Sequence, residues 1–243
     1  MAGTAVLGRL TWLVAEVTET VTETPRVRTL VLDVAGWTGN RAGQHVDVRL
    51  TAENGYQAER SYSLASPPGE RPALTVERLD DGEVSPYLVD EVVPGDKFEL
   101  RGPIGGYFVW DADGRTEPLF LVAGGSGIVP LMAMLRHRRA AGSNVPAKLL
   151  YSSRTSADVI YRDELPELGA DVVQTLTREQ PAGWSGYARR VDVDMLREVA
   201  FPPEQDPRVF VCGPTSFVEA VAEGLVALGY RPGRIRTERF GGT

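Results

Sequence analysis

The first half of the chain alternates apolar and polar residues over short stretches, which is the pattern of β-strands that bury one face. Residues 45–50, His-Val-Asp-Val-Arg-Leu, show this alternation most regularly. Turns rich in glycine, proline and asparagine separate the stretches. The spacing predicts a small antiparallel six-stranded β-barrel, with strands at 12–17, 27–32, 45–50, 60–65, 74–78 and 98–101. It also predicts one helix at 85–92, with Ser85 as its N-cap and Pro86 at its first position.

The second half follows a different rhythm, in which apolar strands alternate with helical segments. A polar stretch at 111–115 separates the halves, so the chain is predicted to form two domains, 1–113 and 114–243. Strands are predicted at 118–123, 148–152, 171–176, 209–212 and 235–239. Helices are predicted at 130–140, 161–165, 193–199 and 216–228. This alternation is typical of an α/β domain with a parallel sheet and helices on both faces.

A glycine turn joins the first strand of the second half to its helix. The apolar run 119–123 ends at Gly124-Gly125-Ser126-Gly127, and Pro130 stands in the first turn of the predicted helix. Glycine lets the backbone approach a ligand closely, and the N–H groups of a helix start favour a phosphate. The turn is therefore a candidate pyrophosphate site, although a dinucleotide fingerprint has glycine or alanine where this chain has Pro130. A tight turn without a ligand is the alternative.

Composition narrows the classes of function. The 243 residues include 26 basic and 33 acidic ones, and the net charge of −7 argues against nucleic acid as the main partner. One cysteine and two histidines argue against a disulfide framework, a cysteine-ligated cluster and a histidine metal site, so no metal is expected. No apolar stretch is long enough for a membrane span and no signal peptide is visible, so we expect a cytoplasmic location.

Four further motifs contain residue types that bind cofactors. They are Arg60-Ser61-Tyr62-Ser63, Gly82-Glu83-Val84-Ser85, Gly102-Pro103-Ile104-Gly105 and Cys212-Gly213-Pro214. An arginine can bind a phosphate, a tyrosine can stack on a flat ring, and a helix start can hold an anion. Each motif alone also has a simpler interpretation, respectively an exposed strand, an N-cap, a barrel corner and a buried free cysteine.

Taken in chain order with the glycine turn, these motifs resemble those of the ferredoxin–NADP reductase family, from about Trp12 to Phe240. The resemblance implies a flavin domain that holds FAD, followed by a nicotinamide domain. In the first domain it implies flavin phosphate contacts for Arg60, ring packing for Tyr62 and a hydrogen bond near flavin N5 for Ser63. The other cofactor residues it implies are Val76, Glu77, Arg78, Gly82, Val84 and Ser85 for the flavin, and Gly125, Gly127, Pro130, Cys212 and Gly213 for the nicotinamide nucleotide.

Arginines near the ends of the next two strands favour NADPH over NADH. An NAD site usually has a carboxylate for the ribose 2′-hydroxyl at the end of the second strand, where this chain has Arg154. Thr177-Arg178 ends the third strand, and Arg189-Arg190 follow. Members of the resembled family that use NADPH carry arginines at such positions, and convergent arginines suit a 2′-phosphate. A solvated basic rim is the alternative.

The C-terminal segment supplies the remaining candidates. Family members often place a C-terminal aromatic residue against the flavin, which makes Phe240 the candidate, although three residues follow it. Glu238 is near enough in sequence to be a proton or hydrogen-bond partner of Ser63 and Cys212, and these three are the candidate catalytic residues. A last edge strand with a frayed end is the alternative.

The resemblance implies an FAD-dependent NADPH oxidoreductase that passes electrons to a separate one-electron redox protein such as a ferredoxin. Because one cysteine cannot ligate an iron–sulfur cluster alone, the acceptor is expected on another chain. Two alternatives stay open. One is a free flavin or ferric reductase, and the other is an electron-transfer subunit docked on a larger oxidoreductase.

Overall fold

The first half of the chain is one antiparallel sheet of six strands, in a computed structural model that describes residues 10–240. The strands are β1 (Trp12–Thr24), β2 (Val27–Val34), β3 (His45–Thr51), β4 (Gln57–Ser63), β5 (Ala73–Glu77) and β6 (Lys97–Ile104). Their order across the sheet is β4-β3-β6-β1-β2-β5. The two edges meet at a bridge between Leu64 and Leu74, so the sheet curls into a barrel that closes at one point. The predicted antiparallel barrel is confirmed.

The alternating apolar residues fill the barrel. Val46 and Val48 on β3 and Leu100 on β6 are fully buried and pack with the inward residues of β2 and β5. The intervening residues face outward, and on β5 this places Ala73 in the core that the barrel shares with the second half. One face of β5 therefore belongs to the barrel and the other to the contact between the halves.

The predicted helix at 85–92 is a short π-helical turn at Tyr87–Glu91. Pro86 occupies its N-cap position, and no side chain caps the helix. The Ser85 hydroxyl instead accepts a hydrogen bond from the Leu79 N–H at 3.0 Å. The N-cap prediction for Ser85 was wrong because this hydroxyl satisfies a loop N–H six residues earlier.

The second half is a parallel five-stranded sheet with helices on both faces, as predicted. Its elements are β7 (Leu119–Gly124), α1 (Ile128–Ala140), β8 (Ala147–Ser153), β9 (Asp171–Leu176), α2 (Val193–Val199), β10 (Arg208–Pro214), α3 (Thr215–Ala227) and β11 (Ile235–Phe240). The strand order is β11-β10-β7-β8-β9. Helix α1 packs on one face and α2 and α3 on the other. The order reverses between β7 and β10, where open α/β sheets bind ligands.

Two helices in this half differ from the prediction, one in its start and one in its presence. Helix α1 begins at Ile128, two residues before the predicted start, and Pro130 lies in its first turn as predicted. Proline fits there because the first four N–H groups of a helix have no intrahelical partner. The helix predicted at 161–165 is absent because Tyr161 adopts a left-handed φ of 57°, and a short 3₁₀ turn follows at Leu165–Leu168.

The two halves are joined by side chains as well as by the chain itself. Arg136 of α1 donates from Nη1 to the Ala65 carbonyl at 2.7 Å, and the Tyr161 hydroxyl donates to the hydroxyl of Thr75 on β5. Trp110 is buried with its ring edge against His137, at 5.8 Å between ring centroids. The division of the chain at 113 stays a prediction.

No helix within residues 10–240 is long and apolar enough to cross a membrane. In the same part of the chain, no three histidine, cysteine or acidic side chains are grouped as a metal site requires. The cytoplasmic location stays a prediction.

Candidate functional site

Two adjoining cavities lie between the barrel and the parallel sheet. The first, of about 350 Å³, is called the barrel cavity; the residues that line it are Arg60, Ser61, Tyr62, Ser63, Thr75, Glu77, Leu79, Gly82, Glu83, Val84, Ser85, Ser126, Val129 and Phe240. The second, of about 450 Å³, lies at the carboxyl ends of β7, β8 and β10 and is called the sheet cavity. Glu77, Ser126 and Phe240 line both cavities. The fold thus brings together motifs that lie up to 180 residues apart.

Strand β4 presents two kinds of side chain to the barrel cavity. Tyr62 lies opposite the inward-facing Val46 and is largely buried, whereas Ser63 lies opposite His45 on the other face. Burial raises the pKa of the Tyr62 phenol well above its ordinary value, so this side chain is a neutral aromatic surface at physiological pH. An aromatic surface beside hydroxyl groups is suited to a flat heteroaromatic ring.

The loop before the π-helical turn folds back on itself at Gly82. A Cβ on Gly82 would lie 2.9 Å from the Ser85 hydroxyl oxygen, so the loop closes this tightly only with glycine. Val84 and Ser85 are buried behind the loop and line the barrel cavity. All three residues predicted from this motif therefore lie at the cavity.

Sequence reasoning missed Glu83 in the middle of the same motif. Its carboxylate accepts hydrogen bonds from Arg60 Nη2 and from the Tyr56 hydroxyl, both at 2.7 Å. These two donors lower the pKa of Glu83, so its carboxylate is charged. An acidic residue inside a phosphate-binding motif was the signal that could have identified it.

The three candidate residues at the end of β5 and just after it differ in where their side chains lie. Glu77 lines both cavities, whereas the Val76 side chain is fully buried in the barrel core. Arg78 is held by Asp80 and by Asp90, with 2.6 Å between its Nε and Asp90 Oδ2, and it lines neither cavity. Of the three, only the Glu77 side chain lines a cavity, and the cofactor contacts of all three stay predictions.

The glycine turn is held against the end of β10. A Cβ on Gly127 would lie 2.1 Å from the Cys212 carbonyl oxygen, closer than any real contact. Gly125, with φ of 55°, and Ser126 line the sheet cavity. Gly127 and Pro130 are buried and line neither cavity, so Gly127 positions the turn by close backbone packing.

Sequence reasoning also missed Phe217 in the first turn of α3. Its ring lines the sheet cavity, and a Cβ on Gly124 or Gly213 would lie within 2.9 or 2.7 Å of it. These two glycines at the ends of β7 and β10 therefore make room for an aromatic ring. Gly213 lines neither cavity, and its contact with Phe217 accounts for the glycine in the Cys-Gly-Pro motif.

The arginines that line the sheet cavity differ in part from those predicted. Arg154 and Arg190 line it together with Thr177. Arg178 is exposed beside Arg154, to whose carbonyl its N–H donates at 2.9 Å, but it does not line the cavity. Arg189 instead pairs with Asp192, at 2.7 Å, because Asp192 caps the start of α2 nearby. Two arginines still converge on the cavity, with Arg190 in the place expected for Arg189.

The candidate catalytic residues lie on two neighbouring strand pairs. Cys212 pairs with Glu238 across β10 and β11, and Ser63 pairs with His45 across β4 and β3. Glu238 Oε1 lies 3.8 Å from His45 Nδ1, which connects the two pairs. Burial raises the pKa of Glu238 to about 7 and lowers that of His45, so the two groups are not a fixed ion pair at neutral pH.

Cys212 itself is buried in the core and lines neither cavity. Burial, followed by the nearby Glu238, raises the pKa of its thiol well above the ordinary value. A neutral buried thiol packs as a small apolar side chain and is a poor nucleophile.

Comparison with known proteins places a flavin and a nicotinamide module on the two halves. A model of the oxidoreductase FAD-binding domain matches residues 14–109, and a model of the oxidoreductase NAD-binding domain matches residues 121–223. Ferredoxin–NADP reductase B of Sorangium cellulosum is 36% identical over 82% of this chain and 84% of its own length.

The glycine betaine monooxygenase reductase subunit of Chromohalobacter salexigens is 30% identical over 84% of this chain. The chain spans only 56% of that relative's length. Among solved structures, the FAD/NAD-binding domain of nitric oxide dioxygenase from Vibrio cholerae superimposes with a TM-score of 0.84 over 95% of this chain and 99% of that domain, at 27% identity.

Proposed function

The chain belongs to the ferredoxin–NADP reductase family, and from that membership we propose that it is an FAD-dependent NADPH oxidoreductase that passes electrons to a separate one-electron redox protein. When bound, FAD accepts two electrons as a hydride from a nicotinamide and gives them up singly. The names of its relatives, a ferredoxin–NADP reductase and a monooxygenase reductase subunit, support a protein acceptor. The observation that carries the proposal is the shared wall of the two cavities at Glu77, Ser126 and Phe240.

The residues of the barrel cavity fit a flavin nucleotide. Tyr62 supplies an aromatic surface, and Ser63 supplies a hydroxyl group at the same wall. Arg60 and the loop at Gly82 stand at the other end, where a cation and backbone N–H groups suit a pyrophosphate. In this proposal Ser63 would donate a hydrogen bond to the reacting edge of a bound flavin, and Phe240, which lines both cavities, would cover its ring.

The residues of the sheet cavity fit a dinucleotide whose ribose carries a 2′-phosphate. Gly125 and Ser126 expose the turn before α1 to the pyrophosphate, and Arg154 and Arg190 lie at the ends of the neighbouring segments. Because Cys212 and Glu238 lie next to this turn through β10, we propose that they pack beneath the nicotinamide rather than react with it. NADPH is therefore proposed as the preferred donor.

Rapid mixing of the flavin-loaded protein with nucleotide tests this function. Loss of the 450 nm flavin absorbance should be faster and half-saturate at lower concentration with NADPH than with NADH. The reduced protein is then mixed with ferredoxin, free flavin or a ferric chelate. Preferred oxidation by free flavin or the chelate would contradict a protein acceptor, and a protein that binds no flavin would contradict the proposal entirely.

Replacing Arg154 with alanine should reduce selectivity for NADPH. A charge-assisted hydrogen bond contributes about 1.5–3 kcal/mol, so the KM for NADPH should rise roughly tenfold to a hundredfold. The KM for NADH should change less than about twofold, since its ribose carries no phosphate. Arg189→Ala is the matched control, because Arg189 is held by Asp192. Equal effects on both nucleotides would contradict the 2′-phosphate role.

Replacing Ser63 with alanine should slow reduction of the bound flavin without releasing it. Loss of one hydrogen bond to a group that gains charge corresponds to a rate decrease of roughly tenfold to a hundredfold. Ser61→Ala is the control, because the Ser61 hydroxyl donates to Asp47 Oδ1 at 2.7 Å. Stopped-flow traces at saturating NADPH measure both rates, and an unchanged rate in Ser63→Ala would exclude this role.

A further inference from the structure

The guanidinium group of Arg60 is already engaged by an acid of the opposite wall. Its Nη2 donates to Glu83 Oε2 at 2.7 Å, and its Nη1 donates to the neighbouring Glu59 carbonyl at 2.7 Å. The second oxygen of Glu83 is held by the Tyr56 hydroxyl. A three-residue hydrogen-bonded chain therefore crosses the end of the barrel cavity where the proposed flavin phosphates lie.

This series of hydrogen bonds extends beyond the barrel cavity. Glu83 also lines a larger cavity of about 650 Å³, which Tyr56 lines as well and which β3 and β6 bound on its other sides. The Glu83 carboxylate therefore stands at the border of two cavities, with roughly half of its side chain exposed.

We propose that Glu83 competes with the flavin pyrophosphate for Arg60 and thereby limits how tightly the protein holds FAD. The inference rests on the proposed function, since it requires a flavin phosphate at Arg60. An incoming phosphate must either displace Glu83 from the guanidinium group or share that group with a second negative charge. Both routes weaken phosphate binding, because an ion pair is given up or two like charges are brought together.

The charge of Glu83 acts on the phosphate and not on the flavin ring. Tyr62 and Ser63 lie two and three residues farther along β4 than Arg60, so the ring-binding part of the cavity is separate from the Arg60–Glu83 pair. Riboflavin has the same ring system but no phosphate, and it therefore serves as the probe that is insensitive to Glu83.

Titration of the 243-residue protein, stripped of flavin, with FAD and with riboflavin tests the proposal. Glu83→Gln keeps the shape and the hydrogen bond from Tyr56 but removes the charge. We expect FAD affinity to increase at least about fivefold and riboflavin affinity to stay within about twofold. Asp81→Asn is the matched control, because it removes an exposed acid from the same loop at a position outside the barrel cavity lining.

Four results would overturn the proposal. They are an unchanged or weaker FAD affinity in Glu83→Gln, an equal gain for riboflavin, an equal gain in Asp81→Asn, and a full gain that persists when Arg60 is also replaced by glutamine. The last comparison separates competition for Arg60 from general repulsion. If the unaltered protein binds no FAD, the proposed function itself fails, which is distinguishable from all four.

Discussion

Gly127→Ala is expected to destabilise the protein by about 3 kcal/mol and to abolish tight nucleotide binding. The added Cβ would lie 2.1 Å from the Cys212 carbonyl oxygen and 2.8 Å from the Gly213 nitrogen. Both are backbone atoms of a central strand, so neither can rotate away as a side chain would. The turn must move off β10, which displaces Gly125 and Ser126 from the sheet cavity. Urea unfolding measures the loss of stability, and equilibrium titration with NADPH measures the loss of affinity.

Gly125→Ala is the matched control for this substitution. Gly125 has a φ of 55°, and nothing lies within 4 Å of the position its Cβ would take. Its substitution should cost about 1 kcal/mol from backbone strain alone. If the two variants lose equal stability, backbone conformation rather than contact with β10 determines the need for glycine in this turn.

Local patterns in the sequence were sufficient to predict the order and type of most elements. Alternation at 45–50 identified β3, and the apolar run at 119–123 identified β7, because burial on one or both faces of a strand leaves a direct trace in the sequence. Strand spacing in the first half and strand–helix alternation in the second predicted the antiparallel barrel and the parallel sheet, and the motif order then indicated the family.

Contacts between distant segments were not accessible in the same way. The need for glycine at 127 comes from a carbonyl 85 residues away, and sequence reasoning attributed it to a phosphate. Arg189 and Arg190 are adjacent and identical in type, so only the position of Asp192 at the start of α2 decides which one reaches the sheet cavity. Glu83 was missed because its partners lie 23 and 27 residues earlier, Arg60 on β4 and Tyr56 in the loop that precedes that strand.

The local errors have a different origin. Ser85 is of a residue type that caps prefer, but Pro86 occupies the N-cap position, and the helix predicted to begin at Pro130 begins two residues earlier. Helix ends depend on which backbone groups are satisfied by the surrounding structure, as the Leu79 N–H is by Ser85. Residue preference alone therefore predicts that a helix begins nearby but not where it begins.

Glu238→Gln is expected to stabilise the protein by up to about 3 kcal/mol at pH 8 and to have little effect near pH 4.5. Burial raises the pKa of Glu238 from 4.5 to about 7, so this carboxyl group ionises more readily in the unfolded chain than in the folded one. Its contribution to folding is therefore fully present below pH 4.5 and is lost as the pH rises to 7. The neutral glutamine does not lose a proton, so the two proteins should diverge over this interval.

This prediction concerns the difference in unfolding free energy between Glu238→Gln and the wild type, and not the pH curve of either protein alone. Several acids, including Asp47 and Asp206, have lowered pKa values and make both proteins less stable at low pH. Subtraction removes that common contribution. Urea unfolding at fixed FAD concentration from pH 4.5 to pH 8 provides the two curves, and Glu223→Gln, on the exposed face of α3, is the control.

Parallel curves for Glu238→Gln and wild type would mean that the Glu238 carboxylate is stabilised in the folded protein by a partner as effectively as by water. His45 is the only basic side chain placed within 4 Å of it in residues 10–240, and burial lowers the pKa of that imidazole. A stabilising partner would therefore require His45 to be protonated at neutral pH. Diverging curves would instead mean that the Glu238 carboxyl group is partly protonated near pH 7. It would then be a proton donor on the strand next to Cys212, 3.8 Å from His45 Nδ1.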